Sequence, residues 1–148
     1  MSESSGPPPS TDVGDDVIVE LFAAARDVRA RSYSPYSGYR VGAAVRTTTG
    51  AVFACCNVEN AAYPEGVCAE AGAISMMVAG TSGPPAITDV VTVTAGESPG
   101  SPCGGCRQKI REFSGTRTRV HLANENGVVR TMTLDDLLPA SFGPDDLL

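Results

Sequence analysis

Cys68-Ala69-Glu70-Ala71-Gly72-Ala73 and, further along, Ser101-Pro102-Cys103-Gly104-Gly105-Cys106-Arg107-Gln108 are two helix openings that together carry three thiols and one carboxylate. Between them Ile87 to Ala95 is rich in Val and Thr and reads as a strand. A strand, a helix and a further strand in succession imply a parallel, right-handed crossover, and so an α/β protein. The small residues Ala69, Ala71, Gly72 and Ala73 keep the first helix thin, which lets two helix starts approach one centre.

The residue types point to a metal. Zn²⁺ takes thiolates in tetrahedral geometry, and three protein ligands leave a fourth position for water that the metal makes acidic near neutral pH. Cys103 and Cys106, three apart, share one face of a first helical turn, and Cys68 arrives from the other helix. Glu70, two residues on, then faces the water rather than the metal. Ser101 reads as the N-cap and Pro102 as the first helical residue, so both later thiols sit at the positive end of a helix dipole, which favours their ionised form. A lone C-x-x-C is shared by redox pairs and structural zinc knuckles. C-A-E followed by P-C-G-G-C is the arrangement of zinc deaminases, in which the glutamate carries protons. A closed structural site would want a fourth ligand, and only Cys55, Cys56 and His121 are left over.

Composition narrows the setting. The 148 residues suit one domain, with residues 1–14, rich in Ser, Gly and Pro, reading as a disordered tail and 15–148 as the folded unit. That tail lacks the cationic start and apolar core of a signal peptide, and no apolar run is long enough to span a bilayer. Five cysteines, three of them required as thiolates, suit a reducing compartment, so a cytoplasmic location is expected. A net charge of −6 disfavours nucleic-acid polymers, whose phosphates demand Lys and Arg.

Around the two openings the pattern is that of a mixed sheet. Asp15 to Ser32 has apolar residues at helical spacing, acidic first and basic last. Tyr33 to Tyr39 is an aromatic loop interrupted by Pro35 and Gly38. Val41 to Arg46 and Ala51 to Cys56 read as a hairpin, with Cys55 and Cys56 as buried, inert thiols. In the extended segment after it, Asn57 and Glu59 fall on one side; an amide beside a carboxylate suits the hydroxyls of a sugar, or a plain solvated loop. The helix opened by Cys68 runs to about Gly80, with Ile74, Met77 and Val78 on its core face and the Met76-Met77 pair as ordinary core. The helix of Cys103 runs to about Phe113. Thr118 to Ala123 and Val128 to Met132 form a final antiparallel pair about the turn Asn124 to Gly127, with His121 as a surface or sheet-face residue. A short capped helix, Leu134 to Pro139, precedes a tail bearing Phe142.

Taken together, these stretches resemble the small, homotetrameric cytidine deaminases from about residue 15 to 146. The resemblance rests on Pro35-Tyr36-Ser37, Val41-Gly42-Ala43-Ala44, Cys56-Asn57-Val58-Glu59-Asn60, the two cysteine motifs and Leu137 to Pro144. It implies a three-layer α/β/α fold with a five-stranded mixed sheet, one zinc ion per subunit on Cys68, Cys103 and Cys106, and Glu70 as proton shuttle. It implies conversion of cytidine and deoxycytidine to the uridines with release of ammonia, in pyrimidine salvage. Asn57 and Glu59 become readers of the ribose 3′-hydroxyl, the Ala69 backbone a contact to the pyrimidine edge, and Tyr39 the substitute for a more usual Phe against the base. Phe142 would reach the site of an adjacent subunit.

Rival readings are a related aminonucleoside-antibiotic deaminase, which would share both zinc motifs, a polynucleotide deaminase, and a non-catalytic zinc-binding module. The segment Asn57 to Asn60 and Phe142 favour the nucleoside enzyme, and the short Asn124 to Gly127 turn and acidic charge speak against a polynucleotide substrate. One departure stands out: the family commonly has Arg after Cys-Ala-Glu, where this chain has Ala71. Three thiolates on Zn²⁺ leave a formal charge of −1, and the candidates to offset it are the two helix N-termini, the backbone N–H groups around Gly104 and Gly105, and Arg107. Arg107 is expected to carry more of it than in a relative with both arginines, unless its side chain pairs with a surface carboxylate.

Overall fold

The computed structural model describes residues 14–148, so the expected disordered tail lies, except for Gly14, outside the described residues. In chain order the elements are α1 (Gly14–Arg29), β1 (Gly42–Thr47), β2 (Val52–Cys56), α2 (Ala69–Gly80), β3 (Ile87–Val93), α3 (Gly104–Glu112), β4 (Ser114–Asn124), β5 (Gly127–Thr133) and α4 (Leu134–Leu137). The strands form one sheet in the order β2-β1-β3-β4-β5. Only β3 and β4 pair in parallel, through α3; the other neighbours are antiparallel. The expected mixed sheet is therefore present.

Alternation along the strands builds two cores. Val45, Val90, Val120 and Leu122 pack with Ala73, Ile74, Met77 and Ile110 of α2 and α3. On the opposite face Ala44, Val91, Val93 and Ala123 pack with Leu21 and Ala25 of α1. The result is three layers, with α1 on one side and α2 and α3 on the other. Met77 is fully buried, which contributes about 1.5–3 kcal/mol. Its neighbours Met76 and Val78, expected in the core, are half exposed instead. The buried stripe of α2 runs through Ala69, Ala73 and Met77 with Glu70 and Ile74 beside it, and one residue further round the helix faces out.

His121 lies on the sheet face, as expected, but is buried rather than surface-lying. Its Nε2 is 2.9 Å from Asp89 Oδ1 and its Nδ1 2.8 Å from Thr131 Oγ1, while Arg119 Nε donates to the same carboxylate at 3.0 Å. Burial raises the Asp89 carboxyl, but the His121 hydrogen bond and the Arg119 charge outweigh it and hold the group below its ordinary range. An ionised carboxylate only accepts, so the His121 proton facing it is on Nε2.

What positions the site is the shared direction of α2 and α3. Both begin beyond the carboxyl end of β3, where Thr92 and Thr94 close the sheet face, and their first turns meet there.

Candidate active site

Cys68 and Cys103 occupy the same place in their helices. Each is the N-cap, with extended backbone at φ −72°, ψ 152° and φ −65°, ψ 166°. The expected cap at Ser101 is therefore corrected: α3 starts two residues later, at Gly104, and Ser101 Oγ instead accepts from Arg107 Nη2 at 2.7 Å. The shift places Cys106 at the third helical position, on the same helix end as Cys103. Glu70 is the second helical residue of α2 and is only 5% exposed.

The three sulfurs lie within 4.8 Å of one another, with Cys68 Sγ 3.9 Å from Cys103 Sγ. A tetrahedral zinc with metal–sulfur bonds of about 2.3 Å needs sulfurs about 3.8 Å apart; the Cys68–Cys103 pair has that spacing, and Cys106 lies within reach of the same ion. Burial pushes the Cys68 and Cys106 thiols up, and the Glu70 charge adds to it at Cys106. Cys103 goes the other way, held down chiefly by the Cys106 backbone N–H. Loading must therefore release protons from the two raised thiols. Burial also raises the Glu70 carboxyl above its usual range, the condition in which a carboxylate both takes and returns protons.

Cys68, Cys103 and Glu70 line a cavity of about 340 Å³. Its lining includes Cys68, Ala69, Glu70 and Cys103 together with Asn57, Glu59 and Tyr39, so all of these expected residues are brought to one space. Asn57 is already engaged: its Oδ1 accepts from Val41 N–H at 2.9 Å and from the Ser32 hydroxyl, and its Nδ2 donates to the Tyr39 carbonyl at 2.8 Å. Glu59 Oε1 accepts from the Tyr36 and Ser37 N–H groups at 3.0 and 3.2 Å. The Ser37 bonds hold its carboxyl below the ordinary range. A second cavity of about 310 Å³ shares Glu59, Tyr63 and Gly66 with the first. Among the described residues that line either space there is no Lys or Arg.

Two expected residues stand apart from the cavity. Phe142 is 58% exposed on the tail, with its carbonyl accepting from Gln108 Nε2 at 2.9 Å. Arg107 is beside the ligand segment, but its hydrogen bonds go to the Pro102 and Leu137 carbonyls and to Ser101, not to sulfur. Sequence reasoning missed Thr92, Thr94, Gly100 and Tyr63 in the lining. For Thr92 a signal existed: it shares the face of Val90 on a strand that ends at the helix starts. Cys55 and Cys56, expected to be buried, are only half-buried on β2; what burial there is raises the Cys56 thiol.

A three-layer α/β fold with a cysteine triangle and a buried glutamate at two helix starts defines a zinc-dependent hydrolytic deaminase. The family model for the cytidine and deoxycytidylate deaminase zinc-binding region matches residues 16–122. The chain belongs to that family. It is 37% identical over 130 residues to a cytidine deaminase of Sporosarcina psychrophila, covering 88% of this chain and 94% of that one. Identity to a cytidine deaminase of Mycobacterium tuberculosis is 36% over 127 residues, covering 86% and 90%. A crystal structure of cytidine deaminase from Burkholderia pseudomallei superposes with a TM-score of 0.75 at 40% identity, covering 84% of this chain and 98% of that one.

Proposed function

We propose that the protein deaminates cytidine and deoxycytidine to uridine and deoxyuridine, in pyrimidine salvage in the cytoplasm. The observation that carries this reading is the buried Glu70 carboxyl beside the three cysteines, lining the same cavity as Asn57 and Glu59. When bound, zinc supplies the Lewis acid that makes water nucleophilic near neutral pH. Glu70 takes a proton from the attacking water and delivers it to the ring nitrogen N3. It then moves the second proton to the departing amino group, so that a C4–O bond replaces the C4–N bond and ammonia leaves. Ala69 meets the pyrimidine edge, Tyr39 lies against the base, and Glu59, with one carboxylate oxygen not used by the loop, accepts from a ribose hydroxyl.

The cavity's lack of cationic lining favours a nucleoside over a nucleotide, because a phosphate calls for Arg or Lys. Phe142, exposed on a tail fixed to its own protomer, suits insertion into a neighbouring site, in keeping with a homotetramer binding one zinc per subunit. The test is a substrate panel on purified, zinc-loaded protein: cytidine, deoxycytidine, deoxycytidylate, cytosine and an aminonucleoside antibiotic. Uridine and ammonia from the first two, with little turnover of the others, are expected. Preference for the antibiotic or the nucleotide would overturn the assignment, and zinc without turnover would make the protein a binding module.

A further inference from the structure

One face of α3 holds the chain segment that follows α4. Gln108 Nε2 donates to the Phe142 carbonyl at 2.9 Å, and Arg111 Nε to the Ser141 hydroxyl at 3.0 Å. Gly143 is buried against the Arg111 guanidinium, so close that any Cβ there would overlap it. The Phe142 carbonyl and the Ser141 hydroxyl are thus bound to α3, while Phe142 as a whole stays exposed.

Arg107 does something the other two do not. Its Nε donates to the Pro102 carbonyl at 2.8 Å and its Nη2 to the Ser101 hydroxyl at 2.7 Å, on the segment that delivers Cys103. Its Nη1 donates to the Leu137 carbonyl at 2.7 Å, the last residue of α4. A guanidinium is planar and rigid, so its donors keep fixed directions relative to one another. Moving the Cys103 segment therefore strains the hold on Leu137, and the reverse. The carbonyl of Cys103, the N-cap of α3, accepts from the Arg107 backbone N–H at 2.9 Å, so Arg107 is anchored to the ligand segment by main chain and side chain alike.

We propose that Arg107 is a positioning residue that couples the metal-bearing segment 101–103 to the C-terminal segment 137–143, so that metal binding and placement of Phe142 stabilise each other. Such coupling is reciprocal: whatever the metal gains from an ordered tail, the tail gains from the metal. The proposal rests on the deaminase reading for the identity of the ion and for the role of the Phe142 ring.

The test compares amide hydrogen exchange in 137–143 of the zinc-loaded full chain with the same protein stripped by a chelator. Exchange is expected to quicken on stripping. In Arg107→Ala it is expected to be fast in both forms, with zinc passing to a competing chelator about tenfold faster, the lower end of what outer partners of metal ligands contribute. Arg107→Lys keeps the charge but not the three directed donors and should behave like Ala. Gln108→Ala should loosen the tail at Phe142 and quicken zinc release less than Arg107→Ala does, because Arg107 still holds segment 101–103 and Leu137. Metal-independent exchange in the unaltered protein, full rescue by Lys, or equal zinc release in Gln108→Ala and Arg107→Ala would each overturn the coupling. Should Arg107→Ala fail to fold, the loaded and stripped forms of the unaltered chain decide the matter alone. A chain that deaminates cytidine without the coupling loses only this inference; one that shows the coupling without turnover loses only the functional reading.

Discussion

The hydroxyl of Tyr39 rests over the bare Cα of Gly100, at a point where any side-chain carbon would collide with it. The Gly100 N–H in turn donates to Thr94 Oγ1 at 2.8 Å, so the loop before the ligand segment is pinned to the residue that follows β3, just where the phenol sits. Gly100→Ala should push the ring aside, destabilise the protein by about 1–3 kcal/mol through overpacking and raise the KM for cytidine. Adding Tyr39→Phe in the same chain should restore both. Thermal unfolding and steady-state kinetics read the result, and a Gly100→Ala protein indistinguishable from the parent would remove Tyr39 from the cavity wall.

Glu70→Gln is expected to keep the three sulfurs and the zinc but lose turnover by on the order of 10²- to 10⁴-fold, the usual worth of a general acid and base. Metal analysis alongside kcat checks both halves. Near-normal activity would assign the proton transfers to another group.

Asn57 and Glu59 should part company. Asn57→Ala strips partners from the Val41 N–H and the Tyr39 carbonyl, so it should cost about 1–3 kcal/mol of stability as well as activity. Glu59→Ala loosens only the Tyr36 and Ser37 turn and should act mainly on KM for nucleosides, with little change for free cytosine. Equal small effects on nucleoside and base would return Glu59 to the role of a loop carboxylate.

Phe142→Ala should raise KM with zinc content unchanged, and sedimentation should give the mass of a tetramer for parent and variant. A fully active monomer would contradict a shared site.

Acid should erase the contribution of Asp89. Its folded pKa lies below the unfolded one, so the stability it adds is present above the unfolded value and disappears as pH falls through the folded value. Asp89→Ala should therefore lower stability by about 1–3 kcal/mol at neutral pH, leaving His121 and Arg119 without their acceptor. The gap between parent and variant should close below about pH 3.8, the ordinary Asp range. Denaturant titrations at several pH values measure it, and a gap that persists into acid would show that packing, not charge, is lost.

The chemistry-bearing motifs were legible because their spacing is local. Cys103 and Cys106 share one helix end whatever surrounds them, and alternation alone put Asn57 and Glu59 on one side. Local sequence puts the cap of α3 at Ser101 because Ser is the better capping residue in isolation, whereas the fold seats Cys103 there and gives the Ser101 hydroxyl to Arg107. Partners from distant elements left no local trace. Asp89 and His121 are thirty-two positions apart, and nothing in the alternation around His121 indicates a carboxylate. The same holds for Val78, whose exposure depends on the angle at which α2 meets the sheet, and for the grip of Gln108 on the Phe142 carbonyl.

The separation of Cys68 from Cys103 also fixes when the site can exist. Cys68 and Cys103 stand thirty-five positions apart with all of β3 between them, and α3 is the crossover between β3 and β4, which pair in parallel. Contacts of that kind close late, after the loop entropy has been met. Until then Cys103 and Cys106 form a two-thiol fragment without the Cys68 sulfur. Loading is therefore expected to follow folding rather than nucleate it: a refolding chain should acquire its backbone structure at a rate independent of free zinc concentration, with metal uptake as the slower, final phase.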